Sequence, residues 1–308
     1  MDKQTLSNYG WTVICVLVLA VMIALATPFG TFVKNGVKNT TDGIISTSNN
    51  ALSVIDNKII PSGCKYIDVN GIEYTNKMPD IVQTGDRYIT EESEFRYNYT
   101  YGGKTSWSKD ESISGWCMAI TDKTKVSYSD IPSYINGKPV TDMHNTFEGC
   151  ENMITAPKIP DTVLYMVDTY SECYSLKKTP ELPKQLINMY ATFHNCTSLT
   201  DESELIIPNT VKNMRSTFAG CSKLTKAPVI PNGVENMYGC FTDCAKLTKA
   251  PVIPESVKNI ARAFIYCKSL ESTVTINAWP ESYGDCFAGT KVTTILGSCP
   301  ETIKSKLL

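Results

Sequence analysis

A chain of 308 residues, 42% hydrophobic and with a formal charge of −2, is long enough to bury a sizeable core and carries no global excess of either sign. That balance argues against a protein whose whole surface is tuned to nucleic acid, and nucleic acid is not an expected partner. Of twelve cysteines, eleven are spread from Cys64 to Cys299 with no Cys-x-x-Cys pair, which argues against a zinc ligand cluster; no metal or other cofactor is expected.

The first element is apolar. Trp11 to Ala26 reads WTVICVLVLAVMIALA, and the uncharged stretch continues to Val33. A bilayer-spanning helix needs about 20 such residues. Residues 1–33 are therefore read as a single-pass membrane anchor, with residues 11–33 in the membrane. Ala24-Leu25-Ala26 also fits the pattern before a signal cleavage site, so secretion after cleavage near Ala26 is the alternative. Lys3 is offset by Asp2, a weak basic start that favours the uncleaved anchor. Lys34 and Lys38 oppose the positive-inside rule for an inside N-terminus. The bulk of the chain is still placed outside the cell, because a short tail followed by one domain usually serves export.

Over residues 34–57 apolar positions recur near helical periodicity (Val37, Ile44, Ile45, Ala51, Leu52, Ile55), which predicts a helical stalk; Gly36 and Gly43 leave a flexible linker as the alternative. The anchor and its continuation are also somewhat similar to small Flp-type pilins, although the acidic residue early in the apolar helix is missing. A pilin-like or coat subunit assembling through its N-terminal helix is the competing structural reading.

Residues 58–140 change texture to short alternating runs broken by Gly, Asn, Asp and Pro, which predicts a small β domain that doubles as an N-terminal cap for the C-terminal half of the chain. In YITEESEFRYNYT, Tyr88, Phe95, Tyr97 and Tyr99 alternate with polar residues and are expected to line one sheet face, as core rather than as a sugar platform.

From residue 141 to 296 the chain repeats itself. Phe147, Tyr170, Phe193, Phe218, Phe241, Phe264 and Phe287 are separated by 23 residues, with one interval of 25. Three residues after each of the first six lies a cysteine (Cys150, Cys173, Cys196, Cys221, Cys244, Cys267), and three further on lie Met153, Leu176, Leu199, Leu224, Leu247 and Leu270. Each unit has too few apolar residues to fold alone, so the units must stack, with backbones roughly 4.8 Å apart and equivalent side chains in ladders. The long interval comes from Leu199-Thr-Asp-Glu-Ser-Glu-Leu-Ile-Ile-Pro and is expected to bulge outward. Parallel stacking points neighbouring cysteines alike, which favours buried free thiols over disulfides.

The pattern F-x-x-C-x-x-L followed by I-P-x-x-V-x-x-M/I resembles the BspA-like leucine-rich repeats of bacterial surface proteins. What the resemblance implies is a β-rich leucine-rich-repeat solenoid of about six coils, displayed at the cell surface for adhesion or protein binding, with no catalytic residues to carry over. The last coil departs from it, with Thr290 in place of Cys and Tyr283 in place of Met, as suits a terminal coil. Residues 297–308, SCPETIKSKLL, are read as a closing cap helix, with Ser298 and Glu301 in capping-box spacing and Ile303, Leu307 and Leu308 covering the end of the stack.

Candidate chemistry is sparse. His144 and His194 are the two histidines, both at variable repeat positions and read as surface residues without triad or metal companions. An enzyme is not expected. Charge is more informative locally: residues 141–204 hold four basic and ten acidic side chains, and residues 205–270 nine and three. Lys212, Arg215, Lys223, Lys226, Lys246, Lys249, Lys258 and Arg262 are read as a basic surface for an acidic glycan, a cell-wall polymer or an extracellular protein. Positions flanking the Val-x-Asn-Met element, Tyr190, Lys212, Arg215, Glu235, Tyr238 and Lys258, together with Arg262, are the candidate ligand-binding residues.

Overall fold

The structure is a computed structural model that describes residues 54–55, 58–98, 115–202 and 204–308. The anchor segment, Tyr99 and the stalk apart from Val54 and Ile55 lie outside the described residues. Among the described residues no helix is long and apolar enough to cross a membrane.

Among the described residues eight strands form the first sheet: β1 (Val54–Ile55), β2 (Lys65–Ile67), β3 (Glu73–Tyr74), β4 (Arg87–Ile89), β5 (Ser93–Tyr97), β6 (Trp116–Ile120), β7 (Tyr134–Ile135) and β8 (Lys138–Asp142), in the order β1-β7-β8-β6-β5-β4-β2-β3. Val54 and Ile55, which helical periodicity assigned to the stalk, instead pair in parallel with Tyr134 and Ile135. Strand alternation puts Ser93, Phe95 and Tyr97 inward, and Phe95 pairs with Tyr88 on the neighbouring strand. The aromatic stripe is core: Trp116 is fully buried, meets Tyr66 and Tyr97 edge-on, and its Nε1 donates to the Ile135 carbonyl.

The sheet runs on into the repeats. Asp142 at the end of β8 bridges Tyr165, and the same parallel bridge recurs through Asn188, Asn213, Asn236, Asn259 and Ser282. β6 itself serves as an incipient coil. Thr146, Thr169, Thr192 and Thr217 each donate a hydroxyl to a methionine carbonyl one turn back, and the first of these carbonyls is that of Met118 in β6, all at 2.6–2.8 Å. Likewise Tyr128 heads the ring column, 5.1 Å from Phe147.

That column carries the core. From Phe147 to Phe287 successive rings stack at 5.2–5.6 Å between centroids, tilted by at most 19°. Such spacing suits offset stacking, and emptying one such position costs about 3–5 kcal/mol. Up to residue 272 the β character expected of the coils takes the form of single-residue bridges, because two residues per coil take a left-handed backbone. After the methionine position these are Asn145, Asp168, Ala191, Ser216, Gly239, Arg262 and Asp285; after the aromatic one, Gly149, Glu172, Asn195, Gly220, Asp243, Tyr266 and Gly289. Asn, Asp and Gly prevail there because they tolerate positive φ. The reversal turns N–H groups toward the next coil: Ala191 donates to Arg215 and Ser216 to Tyr238 at 2.8–2.9 Å.

The two-residue insertion does not simply bulge outward. Ile206 stands 82% exposed, but Glu202 is buried and accepts hydrogen bonds from the Thr179 hydroxyl and N–H. Folding the carboxylate inward gives both donors of Thr179 an acceptor. At the far end β9 (Thr273–Thr275) pairs in parallel with β10 (Thr294–Leu296), and α1 (Glu301–Leu307) closes the chain. No capping box forms: Pro300 occupies the cap position without a side-chain bond, and Ser298 Oγ donates instead to the Asn277 carbonyl. Leu307 is buried as expected and Ile303 partly so, whereas Leu308, one residue past the helix, is 60% exposed.

Candidate functional site: the outward face of the asparagine column

The element that positions the candidate residues is the asparagine at each bridge. The side-chain oxygens of Asn188, Asn213, Asn236 and Asn259 accept the N–H two residues on, from Tyr190, Arg215, Tyr238 and Ala261, at 2.9–3.0 Å. This local closure turns the chain between bridge and core, so the residue before each asparagine and the one after each methionine face outward. Its signal was the recurrent Asn in the Val-x-Asn element, which sequence reasoning used only as a landmark.

On the methionine side of the asparagines Tyr190, Arg215 and Tyr238 stack on successive coils. The Arg215 guanidinium carbon lies 4.5 Å from the Tyr238 centroid and 5.7 Å from that of Tyr190, holding the cation between two rings. All three are half-buried. On the other side Lys212, Glu235 and Lys258 form a row in which Glu235 takes both lysines, at 3.8 and 2.9 Å. The hydrogen bond from Lys258 holds the Glu235 carboxyl below its ordinary range. Arg262 lies on a neighbouring turn, 3.7 Å from Asp285. Tyr190, Arg215 and Tyr238 therefore form a cation–aromatic strip and Lys212, Glu235 and Lys258 a self-paired charged row, whereas Arg262 is paired separately with Asp285.

The eight basic residues read as one surface do not meet. Lys226 and Lys249 belong to a second bridge column, 13 residues after Asn213 and Asn236 in a 23-residue coil, and Lys226 is held by Asp201 at 2.9 Å. Sequence reasoning grouped them by charge alone; the coil divides them by phase.

Both histidines are half-buried rather than superficial. His144 Nδ1 meets Asp142 Oδ1 at 2.6 Å, and His194, whose pKa burial lowers, lies 3.4 Å from Ser171 Oγ. Ser171 is itself buried, out of reach of a substrate. Among the described residues no group of His, Cys, Asp and Glu is arranged to hold a metal. The ladder cysteines are buried and free, and Cys173, Cys196, Cys221, Cys244 and Cys267 each donate Sγ–H to an aromatic residue's carbonyl on the preceding coil at 3.0–3.2 Å. Burial pushes their pKa values up, that of Cys267 to about 12, which keeps them protonated and poor nucleophiles.

A family model described as the BspA-type leucine-rich repeat region, in six copies, matches residues 119–237 and 187–306, more than half of the chain. The chain belongs to this family. The match begins within β6, where the threonine–methionine hydrogen bonds also begin. Solved structures similar to this BspA-type chain include the leucine-rich repeat protein of T. pallidum, 25% identical over 68% of this chain and 91% of that one, with a TM-score of 0.49. A leucine-rich cell surface protein of Faecalibacterium prausnitzii is 18% identical over 69% and 55%, with a TM-score of 0.38. A leucine-rich repeat protein of Bacteroides ovatus is 17% identical over 68% and 76%, with a TM-score of 0.35. No curated protein matches.

Proposed function

We propose that this BspA-type repeat protein is a non-catalytic binding module of a bacterial cell surface, anchored in the membrane by residues 11–33 and engaging an extracellular protein or an acidic glycan or cell-wall polymer. The observation that carries the reading is Arg215 held between Tyr190 and Tyr238, a preformed strip of the residue types that anchor interfaces. Because the rings restrain the guanidinium, less side-chain freedom is lost when a carboxylate or sulfate docks on its edge. Lys212, Glu235, Lys258 and Arg262 flank the strip and supply a polar rim. The anchor rests on the uncharged run of the sequence, and surface display is what the family suggests.

The test is an array of glycans and extracellular proteins probed with the detergent-solubilised full chain and with Arg215→Ala. A ligand whose affinity falls at least tenfold in the variant, while Lys223→Ala binds as the parent does, supports the strip as the site. Binding unchanged by Arg215→Ala and by Tyr238→Ala would sink it.

A further inference from the structure

Half a coil away from the asparagine column lies a second surface. The Ala-Pro-Val-Ile-Pro segments of two successive coils form an open apolar groove lined by Pro228, Val229, Pro251 and Val252, with Lys226 and Lys249 along one side. Ile206 holds the equivalent position one coil earlier, in the inserted loop. Ile206, Val229 and Val252 are 82%, 77% and 53% exposed, so equivalent positions on three successive coils each present an aliphatic side chain to solvent.

Charge gathers beside it. Lys226 and Lys249 face each other across a parallel bridge, an arrangement unfavourable for like charges, and Lys223 and Lys246, three residues earlier in each coil, are exposed as well. Asp201 meets Lys226, Glu255 lines the groove, and Glu204 beside Ile206 is drawn to Lys178 at 3.8 Å. Of the four lysines Lys223, Lys226, Lys246 and Lys249, only Lys226 is held in an ion pair among the described residues, with Asp201, which leaves Lys223, Lys246 and Lys249 to meet an external anion.

We propose that this face rests on an anionic lipid surface, with Ile206, Val229 and Val252 entering the boundary between headgroups and acyl chains and the lysines meeting lipid phosphates. Protruding aliphatic side chains flanked by lysines are how interfacial elements bind anionic bilayers. An acidic peptide would call for pockets of alternating chemistry, whereas this shallow groove repeats one chemistry at the coil spacing and its aliphatic side chains are more than half exposed. Lying down on this face would leave the Tyr190–Arg215–Tyr238 strip, on the other side of the coil, turned away from the bilayer.

The test is lysine acetylation of the full chain on vesicles of phosphatidylcholine alone and of equal parts phosphatidylcholine and phosphatidylglycerol, read by mass spectrometry. Lys223, Lys246 and Lys249 should be modified severalfold more slowly on the anionic vesicles, with Lys184 and Lys212 unchanged. The double substitution Val229→Asp and Val252→Asp, at exposed positions that leave the fold intact, should abolish that protection. Equal modification on both vesicles overturns the proposal, as does protection that survives the double substitution. Equal protection on both vesicle types, the mark of self-association, overturns it too.

Discussion

Asp168 shows how the coil geometry acts on one residue. It occupies a left-handed position at φ 49°, half-buried, and burial with the nearby Glu148 carboxylate raises its pKa to about 6 against an opposing pull from His144. Glu202, buried in the insertion, is raised for the same first reason. An acid whose folded pKa exceeds its unfolded one binds its proton more tightly in the folded chain, so its contribution to stability is intact at low pH and declines as pH rises through the folded pKa. For Asp168 the window runs from 3.8 to about 6. Asp168→Asn should unfold with the parent at pH 4 and gain on the order of 1 kcal/mol over it above pH 7, after allowance for solvent screening. Denaturant titrations across that range would check this; a constant difference at every pH would rule it out.

Within one coil, each ladder settles a different polar demand. Threonine hydroxyls and cysteine thiols both donate to carbonyls of the preceding turn, so every coil fastens its neighbour by side chain as well as by backbone. In the later coils Cys240, Ala263 and Cys286 replace the threonine, so a buried thiol or methyl stands where the hydroxyl was. Because the ladder thiols are buried and held protonated, a maleimide pulse on the native protein should label Cys64, which is half-buried, well before any ladder cysteine. The ladder should react only upon unfolding. Labelling of Cys196 or Cys244 at the rate of Cys64 would show that the column opens in the native state.

At the scale of the molecule, a stack needs both ends covered. The N-terminal end continues into the eight-stranded sheet through β8 and β6. The C-terminal end depends on α1, whose Leu307 is buried and whose Ile303 packs against the core. Removing residues 301–308 should cost about 2–4 kcal/mol from lost apolar burial. Calorimetry should show a lower melting temperature, and light scattering should show association through the bared coil. A truncated chain that melts with the parent and stays monomeric would contradict the capping role.

The repeat period, the aromatic, cysteine and leucine ladders and the family they belong to were legible in the sequence, because a stacked coil sets its inward residues at a fixed spacing that the chain cannot vary without breaking the stack. Exposed positions obey no such constraint. That Val54 and Ile55 pair with β7, that Glu202 folds inward, that Pro300 and not Ser298 starts the last helix, and that the lysines separate onto two faces were decided by tertiary contacts. Each depends on which coil lies opposite and at what angular phase, and a linear spacing holds neither quantity.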